Sequence, residues 1–205
     1  MYRYAEGTGN AALFDFITDI DFLSSTELIC TDRDNHCLRL VDLSQSPPET
    51  STFAGNCTVS GNAGGHRLDS ARFNGPWFTE VSDDHSFVFV LDQFKTLFMI
   101  DMKTDNVTTL LTIYNVFFKM KLFGNSLLYI AQIHQITLCN INTREVTVVV
   151  SGHSNEGAVG SFEHTKFRSH PFGLLPWRDE VDTILLVAED QNFRFAGFFY
   201  DVKDI

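Results

Sequence analysis

The feature that most constrains this chain is a pattern stated four times: an apolar run, a polar residue, then a second apolar run. It appears as "ELICTDRDNHCLRLVDL", "FVFVLDQFKTLFMIDM", "LLYIAQIHQITLCNI" and "ILLVAEDQNFRFAGFFYD". The polar pivots are Asp32, Asp92, Gln132 and Glu189, spaced 60, 40 and 57 residues apart. Each long spacing contains a Gly/Ser/Asn-rich stretch leading to a Phe and then a Pro (Phe73 and Pro76; Phe167 and Pro171). The short spacing lacks it and runs from "NVTTLLTIY" directly into "NVFFKMKLF". The basic repeat is therefore about 40 residues with an optional insertion, a period that suits a propeller blade.

Within one repeat, four short apolar stretches can be separated. In the first they are "FDFITDIDFL", "ELICTD", "CLRLVDL" and "TSTFAG". They have strand length and are too short for stable helices. "DLSQSPPET" breaks the ladder between the last two, because Ser-Pro-Pro cannot continue it. The stretches "FVFVL" and "LLYIA" are apolar throughout rather than alternating, as expected of strands buried on both faces. The chain carries 20 Phe, and aromatic residues favour strands. The expected fold is an all-β β-propeller of four-stranded antiparallel blades, about four in this chain. They fall roughly at 11–55, 71–112, 115–150 and 167–205, with 1–6 as a candidate closing strand.

The residues "TDRDNHCLRLVDL…TSTFAGN…ARFNGP" resemble an NHL repeat over 28–76. The second unit keeps Asp92, Ile100-Asp101 and "VTTL"; the third replaces the Asp by Gln132; the fourth keeps Asn192 and Arg194. The sequence is also similar to divergent invertebrate NHL proteins that carry the same cysteine pair. The resemblance implies a six-bladed ring. Four blades then imply part of a larger propeller, the leading expectation, or a small closed ring. In the second case "MYRYAEGTG" would supply the missing fourth strand of the last unit.

The formal charge is −11, which repels phosphate backbones in the absence of a clustered basic face. Nucleic acid is therefore not an expected partner. No apolar run approaches the ~20 residues of a membrane span. "MYRYAEGTGNAALFDF" has no apolar block with a cleavage site, so no signal peptide is read in this chain.

Cys37 and Cys57 flank a hairpin with Pro47 at the middle of its turn. Residues equidistant from a turn lie opposite each other, about 4.5–5.5 Å apart at Cα, which is within disulfide range. A Cys37–Cys57 disulfide is expected, the alternative being two small apolar residues. A zinc pair is disfavoured, since there is no C-x-x-C and the adjacent His36 is the sole neighbouring ligand type. Cys30 and Cys139 sit in apolar strands and read as buried hydrophobes. The disulfide places the protein in an extracellular or secretory compartment.

Asp32, Asn35 and Asp92 are read as turn-capping pivots, since Asx side chains bond nearby backbone. A calcium loop is disfavoured because the following Gly and later Glu are missing. "GNAGG" and "SGHSNEGAVG" lack the Lys-Ser/Thr of a phosphate loop and read as flexible connections between blades. Asn56-Cys57-Thr58 and Asn106-Val107-Thr108 fit the N-glycosylation pattern. The seven His (36, 66, 85, 134, 153, 164 and 170) form no H-E-x-x-H or H-x-H. No catalytic residue, metal ligand or cofactor is assigned. The leading expectation is a non-enzymatic binding or scaffold module that takes a protein or glycan through its loops. The competing one is a metal-dependent propeller enzyme, similar to the amidating lyase or calcium-dependent lactonases, with His, Asp and Glu at the central channel.

Overall fold

The structure is a computed structural model that describes residues 3–93, 96–113, 117–132, 135–151, 171–178, 183–189 and 195–200. The chain is all-β and built of blade-type antiparallel sheets, divided between two compact units, Met1–Tyr114 and Asn115–Ile205. No α-helix occurs among the described residues, and none is long and apolar enough to cross a membrane, which says nothing of a β-barrel.

In the first unit one sheet contains β1 (Gly7–Thr8), β2 (Ile17–Ser24), β3 (Glu27–Asp32), β4 (Cys37–Asp42) and β5 (Glu49–Gly55), ordered β1-β5-β4-β3-β2. The next contains β6 (Gly65–His66), β7 (Pro76–Val81), β8 (Phe87–Asp92), β9 (Thr96–Asp101) and β10 (Asn106–Thr112), ordered β6-β10-β9-β8-β7. Each is a four-stranded meander with a two-residue strand added at its outer edge. That strand comes from the Gly-containing stretch preceding the blade: Gly7 pairs with Thr50, and Gly65 pairs with Val107. The "GNAGG" stretch, expected to be a loop, therefore contributes Gly65 to a ladder. Ala5 bridges Leu13, so the amino-terminal residues lie along the first sheet.

In the second unit one sheet contains β11 (Phe117–Phe123), β12 (Leu127–Gln132), β13 (Gln135–Asn140) and β14 (Val146–Ser151) in sequential order. The last contains β15 (Pro171–Arg178), β16 (Thr183–Glu189) and β17 (Phe195–Tyr200). The four pivots occupy one structural position: Asp32, Asp92, Gln132 and Glu189 end β3, β8, β12 and β16. Most of "SGHSNEGAVG", and His134, His153, His164 and His170, lie outside the described residues.

The core of the first unit fills the space between its two sheets. Ile29, Leu38, Phe53 and Ala54 from one sheet meet Val88, Val90, Phe98 and Ile100 from the other and Phe73 from the segment leading into β7. Phe73 and Phe98 pack edge to face with centroids 5.1 Å apart. Each such Val, Leu, Ile or Phe side chain stabilises by about 1.5–3 kcal/mol on burial. The edge strands β2 and β7 add a polar clasp. Asp19 and Asp21 of β2 accept backbone N–H groups of Thr79 (3.2 Å) and Val81 (2.8 Å) of β7, and Thr18 donates its hydroxyl to Pro76 O (3.3 Å). In the second unit Met120, Leu128, Tyr129, Ile130, Ile136 and Leu138 are buried.

Candidate functional site

The site is built on the pivots. Asp32 accepts the backbone N–H of Asp15 at 2.8 Å, and Asp92 accepts that of Asn74 at 3.3 Å. Each carboxylate ties the end of its blade's second strand to the residues entering the first. Two further bonds repeat: Arg33 N–H to Phe16 O (3.2 Å) and Gln93 N–H to Gly75 O (2.9 Å). These matched contacts align "FDFI" (14–17) with "FNGP" (73–76). Phe14 corresponds to Phe73, Asp15 to Asn74, and Phe16 to Gly75.

At the third position the backbone is left-handed in both blades, with φ 63° at Phe16 and 66° at Gly75. Glycine adopts that conformation freely. A bulky residue there costs about 1–2 kcal/mol and points to a functional constraint. Of the other left-handed non-glycine residues, His36, His85, Asp105 and Arg144 lie in hairpin turns, where such geometry is ordinary, and Thr58 (φ 76°) lies in the turn after β5 that the Cys37–Cys57 disulfide ties down. Phe16 is 57% exposed. The Arg33 guanidinium lies 5.1 Å from the Phe16 ring centroid and 4.3 Å from that of Trp77. It donates to Gln93 Oε1 (3.1 Å) and pairs with Asp34 (3.4 Å). Exposed Ile17 follows Phe16. The loop end of the first two blades thus presents aromatic rings around one held cation. The repeat pattern did not reveal it. The signal that could have done so is a Phe where the next blade has the glycine of "FNGP".

Beneath this surface His36 is half-buried, and its Nδ1 accepts the Gly75 N–H at 3.1 Å. Burial holds its imidazole below the usual range, helped by Arg33 and opposed by Asp34. Behind the pivot, Arg39 is 0% exposed. It donates to Asp32 Oδ2 (3.1 Å), Ala5 O (2.9 Å), Leu13 O (3.1 Å) and Ser51 O (3.3 Å), between the rings of Tyr4 and Phe14. Asn35 is equally buried and donates to Asp32 Oδ2 (2.9 Å) and Arg3 O (2.8 Å). Burial raises the Asp32 carboxyl, while Asn35, the Asp15 N–H and Arg39 oppose it. Asn35, Arg39 and the Asp15 N–H all bond the Asp32 carboxylate, so the cluster is positioned to hold loops, and the buried Asn35 Oδ1 is its one acceptor without a hydrogen-bond partner. Asp92 Oδ1 accepts the Thr96 N–H (3.1 Å) across its own turn.

Cys37 and Cys57 form a disulfide with Cα atoms 5.0 Å apart. The pairing is the one expected, but the register behind it differs. The ladder partner of Cys37 is Gly55, with an irregularity between Leu38 and Arg39. Cys57 lies beyond the ladder and is brought back by the turn at Gly55–Thr58. Gly55 has φ +89°, and a Cβ there would meet the Phe73 ring at 2.9 Å. Cys30 and Cys139 are buried free thiols, raised by burial to about 12 and about 11. Asn56 is exposed beside the disulfide, and Asn106 is half-buried in β10. Among the described residues no three His, Cys, Asp or Glu side chains gather as a metal site.

No protein-family model matches the sequence, and no curated protein matches it. Solved structures do. A protein of unknown function from Bacteroides thetaiotaomicron shares 12% identity at a TM-score of 0.61, covering 97% of this chain and 46% of that one. The extracellular domain of a proposed one-component system from the same organism shares 10% at 0.54, covering 89% and 21%. The tricorn protease shares 9% at 0.53, covering 88% and 16%. The chain therefore spans less than half the length of each of these structures. At such identities the likeness concerns the fold alone, the β-propeller.

Proposed function

We propose that this chain is a non-enzymatic binding module of the NHL-repeat propeller type, working in an oxidising extracellular or secretory compartment. It takes its partner on the loop end that carries Phe16, Arg33 and Trp77. The observation that carries this reading is Phe16 itself: an exposed aromatic residue in a left-handed position that the next blade gives to Gly75. Keeping a costly side chain where glycine would serve makes sense if the side chain has work at the surface. Trp and Arg are also the residues that most often dominate protein interfaces, so a protein partner is favoured over a glycan. The Cys37–Cys57 disulfide supports the compartment, and the extracellular domain among the structural neighbours agrees with it.

The test screens the immobilised full chain against a phage-displayed peptide library and a glycan array. Binders are then remeasured by calorimetry on Phe16→Gly, Arg33→Ala and Trp77→Ala. Peptide ligands weakened at least tenfold by each substitution, with unchanged circular dichroism, support the reading; glycan ligands with that dependence move the partner class to carbohydrate. Binders indifferent to all three substitutions would overturn the site. Stoichiometric zinc or calcium in the purified protein, together with lyase or lactonase activity lost on its removal, would replace the module with an enzyme.

A further inference from the structure

The chain contains two Asn-x-Thr sequences, and the fold treats them oppositely. Asn56 follows the last residue of β5, and both it and Thr58 are exposed. Their backbone is fixed from beneath: Thr58 N–H donates to Asn35 O (2.8 Å), Val59 N–H to Asn56 O (3.0 Å), and Cys57 is tied to Cys37. The amide and hydroxyl that a glycosyl-transfer enzyme must engage thus project from a stapled turn into solvent. Asn106 begins β10, with Asp101 on one side of the ladder and His66 on the other. Val107 is 1% exposed, and the Thr108 hydroxyl is buried without a hydrogen-bond partner. A glycan there would have to leave a half-buried strand position paired on both edges.

We infer that Asn56 is an N-glycosylation site and that Asn106 is not. The step joins the Asn56 side-chain nitrogen to the anomeric carbon of a lipid-linked oligosaccharide, with loss of one amide proton and departure of the lipid diphosphate. The disulfide contributes independently, because the compartment in which Cys37 and Cys57 pair is also where such donors are used. Asn56 lies at the same end of the first sheet as Phe16 but follows β5, while Phe16 leads into the edge strand β2, with β4 and β3 between the two. A glycan at Asn56 would border the proposed binding surface without occupying it.

The experiment directs the full chain into the secretory pathway of cultured vertebrate cells with a heterologous leader. Cell and medium fractions are both read by gel mobility before and after peptide N-glycosidase, so retained protein is also counted. The expected result is a single glycosidase-sensitive shift, lost in Asn56→Gln and in Thr58→Ala and kept in Asn106→Gln. A shift lost only in Asn106→Gln, two shifts in the parent chain, or no shift at all would overturn the inference. None of these outcomes depends on ligand binding, so the binding-module reading stands or falls separately.

Discussion

At the scale of the residue, two positions carry testable consequences. Phe16 holds a left-handed backbone that Gly75 holds without steric cost in the next blade. Phe16→Gly should leave stability unchanged or raise it by up to about 1 kcal/mol while weakening partner binding at least tenfold. Denaturant melts beside calorimetry check this, and a loss of more than 1 kcal/mol would mean that the ring is structural. His36 accepts a hydrogen bond through Nδ1, so the native state requires the neutral imidazole. Its folded value lies below 6.5, chiefly through burial. The unfolded chain therefore binds the proton first as pH falls. The contribution is complete above the unfolded value and is lost as pH drops from 6.5 through the lower folded value. NMR titration should show His36 ionising below 6.5, with the Gly75 amide shift following it. His36→Asn, which keeps an acceptor, should flatten stability over that window. An ordinary His36 titration with a static Gly75 amide would remove the hydrogen bond from the account.

Elements are where the sequence was most legible, and the reasons are physical. Strand pairs recur because each blade must bury both faces, so "FVFVL" and "LLYIA" read as strands directly. The pivots were visible because a polar residue interrupts apolar runs at one place in each repeat. Their partners were not visible: Asp32 reaches back to Asp15, a contact set by the path of the preceding loop. Likewise the Cys37–Cys57 pairing was readable while its register was not, because the ladder irregularity and the turn at Gly55 have no strong local signature. The short strands β1 and β6 were hidden in Gly-rich stretches for the same reason. Two element-scale predictions follow from the contacts. The disulfide closes a loop with sequence separation 20, and Cys37→Ser with Cys57→Ser should cost about 3 kcal/mol in urea unfolding; a loss under 1 kcal/mol would mean that the unfolded chain is already constrained there. Asp21→Ala should cost about 1.5–3 kcal/mol, because the Val81 N–H loses a charge-assisted bond at 2.8 Å. The Val81 amide should then exchange faster with solvent than in the parent, while amides inside β8 keep their protection.

For the whole molecule, the formal charge of −11 sets an expectation that no single contact decides. Like charges on a compact chain repel one another, and folding concentrates them. Against this stand internal ion pairs such as Arg39–Asp32 (3.1 Å) and Arg67–Asp105 (2.6 Å), which added salt would weaken if they were open to solvent. The first is fully buried and is screened little; the second is partly exposed and contributes at most about 1 kcal/mol. Screening length falls from ~30 Å at 0.01 M to ~8 Å at 0.15 M salt, so long-range repulsion is removed before short buried pairs are touched. The melting temperature at pH 7 should therefore rise between these two salt concentrations. The rise should vanish near pH 4.9, where the net charge is close to zero. A fall in melting temperature at pH 7 would show that exposed ion pairs outweigh self-repulsion. The same negative field should keep the chain from duplex DNA at 0.15 M salt, since acidic surfaces cannot gain from counterion release. Retention on a DNA column at that ionic strength would mean that basic groups gather on one face despite the overall balance.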